Sequence, residues 1–223
     1  GYIALCIFLL LTGLLLFVFP DTSILEMGYA TLAGFFNITP WLLIFMVPTI
    51  TMRSFSEEYK SGTFELLKTL PIRPAVLVWG KYIGALFVVL CLLVPTLLYG
   101  VAVESLSAVG GIDMGATAGS YLGLFLLAAV FVSVGICVSS FTNNTVVAFI
   151  GAAFTCYLLF AGFEAVSKLS FFEGKLAYYT EVLGIKFHYK SISRGVIRLD
   201  DLIYFFALIA ASLHITKQNI IKR

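Results

Sequence analysis

The sequence predicts an all-α, polytopic membrane protein of six spans, interrupted once by a dense polar island. Three observations carry that prediction. Hydrophobic residues make up 61% of the 223 and charged residues 12%, with a mean hydropathy of +1.04; in soluble domains charged residues reach about a quarter. Several windows of about 20 residues are nearly free of charge, enough to cross a hydrocarbon core of about 30 Å as a helix. The charges gather between those windows, seven of the 26 falling within residues 53–73.

The first span covers about 2–19 and closes at Pro20-Asp21. The second is predicted over 39–52, with Thr39 as N-cap and Pro40 at the first helical position. The island follows and is left through Pro71 and Pro74. The third span, 75–103, is longer than a bilayer needs, and Pro95 is expected to kink it. A glycine-rich loop, 104–118, holds Glu104 and Asp113 and leads into a fourth span at 119–139. Only residues 140–144 separate it from the fifth, 145–163, so the two read as a tight helical hairpin. A mixed segment, 164–201, precedes a sixth span at 199–215 and a short basic tail.

Orientation follows from the Lys/Arg excess of short cytoplasmic loops. The island carries Arg53, Lys60, Lys68 and Arg73, with Lys81 just beyond, and the tail carries Lys217, Lys222 and Arg223. The loops at 20–38 and 104–118 carry no basic residue. Island, tail and N-terminus are therefore expected in the cytoplasm. Segment 164–201 falls outside by parity, despite Lys168, Lys175, Lys186, Lys190, Arg194 and Arg198. Its length relaxes the rule, and Glu164, Glu173, Glu181, Asp200 and Asp201 nearly balance its charge. Phe171, Phe172, Tyr178, Tyr179, Phe187 and Tyr189 set it on the membrane surface or partly within.

Within the island, Ser54-Phe-Ser-Glu57 reads as a capping box, the serine bonding the amide three residues on. Glu57 with Lys60, and Glu65 with Lys68, have the spacing of helical ion pairs. Gly62 breaks the run, and Phe64, Leu67 and Leu70 fall on one side of a second piece. The island thus reads as two short amphipathic pieces. They either rest on headgroups or dock a protein, and the residues alone leave these readings level.

Arg53-Ser-Phe-Ser-Glu-Glu-Tyr-Lys-Ser-Gly-Thr-Phe-Glu-Leu-Leu-Lys-Thr-Leu-Pro-Ile, followed by Trp79-Gly-Lys-Tyr82, resembles the signature of ABC-2 type permeases. Pro48-Thr-Ile-Thr-Met-Arg53, Gly119-Ser-Tyr-Leu-Gly123, Asn143-Asn-Thr-Val-Val-Ala-Phe149 and His188-Tyr-Lys-Ser-Ile-Ser-Arg-Gly195 extend the likeness to the gliding-motility permeases of Bacteroidota. The resemblance implies one half of an exporter of the bacterial inner membrane, with six transmembrane helices. It implies a second permease half, as homo- or heterodimer, and a cytosolic ABC ATPase subunit. The island would be a cytoplasmic coupling helix between spans 2 and 3, seated on the ATPase. Arg53, Glu57, Glu58, Lys60, Gly62, Thr63 and Glu65 would form that site, Glu57 and Glu58 supplying the charged contacts and Gly62 with Thr63 the bend. Segment 164–201 resembles the extracellular re-entrant helices that precede span 6 in this family. The family begins with a further amphipathic helix; the sequence opens at Gly1 inside an apolar run, so that helix is expected upstream.

Other features weigh less. No Gly-x-x-x-x-Gly-Lys-Ser/Thr phosphate cradle occurs, so the chain is expected to bind no cofactor and to rely on ATP at its partner. Nucleic acid is not an expected partner. Cys6, Cys91, Cys137 and Cys156 lie singly in apolar runs and read as small fillers. His188 and His214 are isolated and read as surface or interfacial residues, and Glu104 and Glu164 as span boundaries. Gly80 with Gly84, and Gly115, Gly119 and Gly123, have the spacing that lets helices approach; packing within the chain is preferred to a dimer contact. The near absence of charge within spans and the lack of an internal repeat argue against an ion-coupled transporter. A membrane scaffold that docks an ATPase without transporting is the alternative.

Overall fold

The computed structural model describes residues 2–17, 32–69, 71–106, 113–168 and 175–222. The expected closure at Pro20-Asp21, most of the 20–38 loop, the centre of the 104–118 loop, and Phe171, Phe172 and Glu173 lie outside the described residues. Among the described residues every regular element is a helix: α1 (Tyr2–Phe17), α2 (Ala33–Thr51), α3 (Arg53–Ser61), α4 (Thr63–Thr69), α5 (Pro74–Leu93), α6 (Leu97–Leu106), α7 (Met114–Phe141), α8 (Thr145–Tyr157), α9 (Phe163–Ser167), α10 (Lys175–Val182), α11 (Ile185–Ser193) and α12 (Leu199–Lys222). Five stretches are long and apolar enough to cross a bilayer: Ala33–Ser61, Pro74–Ser105, Met114–Phe141, Thr145–Ser167 and Leu199–Lys222. The apolar part of α1, Leu5–Phe17, is shorter.

Helix α7 is the axis of the bundle. It is apolar on every side, as a helix enclosed for most of its length must be, and 83% of its most apolar window is buried against 28–44% for the other four. α2, α3, α5, α8, α11 and α12 all pack on it. Close approach is bought with glycine: a Cβ on Gly135 would stand 2.0 Å from Thr51 Oγ1 and 2.9 Å from Thr51 Cβ. Gly119 and Gly123 make the same allowance for α11, the first lying under Ile192 O and the second under the Tyr189 ring. These two therefore pack within the chain. Gly80 and Gly84 are exposed, with open space where a Cβ would stand.

Several boundaries differ from the sequence reading. The second span begins at Ala33, not at Thr39-Pro40. The Thr39 hydroxyl turns back on its own helix and donates to Phe35 O at 2.6 Å, and Pro40 and Pro48 both sit inside the helix. Membrane helices tolerate this because neighbours and hydroxyls re-satisfy the freed backbone. The fourth span begins at Met114, where Asp113 caps it by accepting from Ala116 N at 3.1 Å. The sixth absorbs the tail and runs to Lys222. The expected break at Pro95 is a 3₁₀ turn, Val94–Thr96, braced by the Tyr121 hydroxyl donating to Thr96 O at 2.8 Å. The hairpin turn is formed, with Asn144 capping α8 through Val146 N.

The fifth span runs on from α8 through a π-helical turn, Leu158–Gly162, into α9, and the described chain between it and α12 folds as two short helices, α10 and α11, with α11 set deep against α7. The Tyr189 hydroxyl donates to Phe36 O at 2.8 Å, and burial pushes its phenol above the ordinary value. The Ser120 hydroxyl donates to Ser193 O at 2.9 Å. His188 is not the surface histidine the sequence suggests. It is 6% exposed, its Nδ1 is 2.6 Å from a carboxylate oxygen of Asp201, itself 3% exposed, and its Nε2 is 2.9 Å from Val182 O. His214 is exposed and bonds Gln218.

Candidate functional site: the polar island and its anchors

The island is built as an outgrowth of the second span. Met52 keeps helical dihedrals (φ −54°, ψ −31°) and bonds back to Pro48 O at 2.8 Å, so α2 leads into α3 through a single turn residue. The expected capping box at Ser54 is not formed, and no local side chain caps α3. The first amides of a helix lack internal partners, and here the partner comes from α7. Ser139 Oγ accepts from Phe55 N at 3.1 Å and Ser56 N at 3.2 Å and donates to Met52 O at 2.9 Å. Phe55 and Ser56 are fully buried against that end of α7.

Lys81 supplies the second anchor. Its ammonium donates to the Glu58 carboxylate and to Ser54 O, and stands 4.7 Å above the Phe55 ring. The pair is largely enclosed, with side-chain exposures of 19% for Lys81 and 25% for Glu58. Glu58 is thus turned inward and joins α3 to α5. Glu57 faces solvent, 3.9 Å from Arg53 one turn back. The pairs expected from spacing, Glu57 with Lys60 and Glu65 with Lys68, are not formed; Lys68 lies 5.4 Å over the Phe64 ring instead.

Gly62 ends α3 in the left-handed region at φ 73°, where a side chain is strained whatever space surrounds it. The chain reverses there, and Phe64 returns edge-on to Tyr59 at 4.7 Å. Ser61 and Thr63 share a hydroxyl bond of 2.9 Å across the bend. Arg53, Glu57 and Lys60 then lie on one exposed ridge of α3, while Gly62, Thr63 and Glu65 are exposed along the bend and α4. The site therefore has a wet charged ridge and a back bonded to two spans.

A sequence profile of the ABC-2 family transporter proteins matches residues 20–178, more than two thirds of the chain. The chain belongs to the ABC-2 transporter family. With five apolar helices of spanning length, it is a multi-pass membrane protein. No curated protein matches the chain.

Of the seven residues the resemblance nominated in this permease, the fold brings Arg53, Glu57 and Lys60 together, sets Gly62, Thr63 and Glu65 at the bend, and turns Glu58 away. Ser139, Gly135 with Thr51, and Asn219 were not singled out. Asn219 donates to Ser140 O at 2.7 Å and bonds its hydroxyl at 3.1 Å, joining α12 to the same end of α7. The available signal was Lys81, a cation at the mouth of an apolar run, which the orientation argument used only as a positive charge.

Proposed function

We propose that this ABC-2 permease is half of an ATP-driven exporter and that α3 and α4 are its coupling helix. A separate cytosolic ABC ATPase would seat on the ridge of Arg53, Glu57 and Lys60, and a second permease half would complete the pathway. ATP stays with the partner. The observation that carries this reading is the division of α3 into a solvated charged ridge and a back fixed to α7 by Ser139 and to α5 by Lys81. A helix resting on lipid would gain nothing from such rigid attachment; a helix that must pass on a push needs it. Ser120 and Ser139 lie about 28 Å apart along α7, one bonded to α11 and the other to α3. Displacement of α3 would thus reach the opposite end of the bundle through one stiff rod.

The wider reading counts α1 as a sixth span, with both termini in the cytoplasm of a bacterial inner membrane and α10 and α11 as extracellular re-entrant helices. It rests on the Lys/Arg bias of the loops and on the apolar run of α1. Association with gliding motility rests on the motif resemblance alone. The test is reversal of the ridge, Arg53→Glu with Glu57→Arg and Lys60→Glu, leaving Glu58 and Lys81 in place. The triple variant should insert normally and lose co-purification of its ATPase. Undiminished co-purification would refute the docking assignment.

A further inference from the structure

We infer that the end of the permease away from the island holds a site for the phosphate of an anionic phospholipid, built on Glu164, Lys168, Lys186 and Lys190. The Glu164 carboxylate, 16% exposed, lies in α9 at the close of the apolar stretch Thr145–Ser167. Lys186 reaches one of its oxygens at 2.5 Å, and Lys168 and Lys190 reach the other at 3.2 and 3.6 Å. One carboxylate needs one cation. Lys186, 26% exposed and closest, meets that need alone.

The other two lysines add repulsion. Lys186 and Lys190 are one turn apart on α11, a spacing at which like charges destabilise a helix. Lys168 converges on the same point from α9. Of the described acids in the same segment, Asp200 pairs with Arg198 at 3.5 Å and Asp201 with His188, and Glu181 on α10 lies within ion-pair distance of none of the three lysines. Among the described residues the cluster therefore keeps two uncompensated positive charges, which a second anion would offset.

The setting selects the kind of anion. Lys186 stands 5.9 Å from the rings of both Trp41 and Phe160. Trp41 packs on Phe160 at 5.5 Å and on Tyr157 at 6.2 Å, while Trp41 and Tyr157 remain 40% and 45% exposed. The lysines thus top an apolar wall that continues down α2 and α8. A free inorganic anion has no use for that wall, whereas a phospholipid fills both parts, phosphate on the ammoniums and acyl chain against the rings. A choline headgroup would bring its own cation to three others, so an anionic headgroup is the better match. Basic pockets between membrane helices on the cytoplasmic side bind acidic lipids in this way, and the same groups are gathered at this end.

The permease, purified intact and reconstituted with equal phosphatidylglycerol and phosphatidylcholine, should retain the former by about thirtyfold on native mass spectrometry, as expected for two extra lysine contacts. Lys168→Gln with Lys190→Gln leaves the Lys186–Glu164 pair whole and should abolish the preference. Lys168→Arg with Lys190→Arg should keep it. Equal retention of the two lipids by the native protein would overturn the inference, as would an unchanged preference in the glutamine variant or its loss in the arginine variant. Displacement of phosphatidylglycerol by millimolar inorganic phosphate would assign the site to free phosphate and equally overturn it.

Discussion

Replacing Ser139 with alanine should loosen the island without disturbing the ridge that faces solvent. The hydroxyl makes three bonds to α3 and its junction: it accepts from Phe55 N and Ser56 N and donates to Met52 O. Hydrogen bonds between membrane helices average about 0.6 kcal/mol each, so three amount to about 2 kcal/mol, a factor of about thirty in the equilibrium between attached and released island. The loss falls on amides that water can reach only when α3 lifts from α7. Hydrogen exchange reads this directly, because the Phe55 and Ser56 amides are themselves the donors. Their exchange should quicken by about thirtyfold in Ser139→Ala, while the enclosed middle of α7, around Val130 and Phe131, keeps its protection. Ser139→Thr retains the hydroxyl and should stay within a few-fold of native. Unaltered exchange at Phe55 and Ser56 in the alanine variant would refute the claim that Ser139 fastens the island to the bundle.

Two further outcomes follow from the same geometry. Gly135→Ala forces a Cβ into Thr51 and should cost about 1–3 kcal/mol in unfolding free energy; combining it with Thr51→Ala should recover only part of this, since Thr51 Cβ itself stands at 2.9 Å. Gly62→Ala places a side chain at φ 73° in open space, so it should cost about 1–2 kcal/mol of local stability with no packing defect, measurable as faster exchange across α3 and α4.

Much of the fold could be read from residues whose effect is local. Pro74 opens α5 at its first turn, Gly62 ends α3, and Asn144 caps α8, each acting through its own backbone or the next few amides. Misreadings arose where a residue that looks local has a distant partner. Ser54 has the sequence of a cap, but the capping oxygen belongs to Ser139. Glu58 is nominated by the resemblance, beside Glu57, as a charged contact for a partner, yet its carboxylate pairs with Lys81 on the next span. His188 is isolated along the chain until the reversal at Gly195, φ 80°, brings Asp201 beside it. Thr39-Pro40 copied a helix start because periodicity in an apolar run cannot show that the helix began two turns earlier.

The central claim is that the exposed ridge of α3 is where an ATPase seats, and contact mapping in native membranes tests it most directly. A photo-activated cross-linker placed at Lys60 should capture an ABC ATPase subunit, identified by mass spectrometry, while the same group at Tyr179 on α10 should not. Capture from Tyr179 and none from Lys60 would contradict the account.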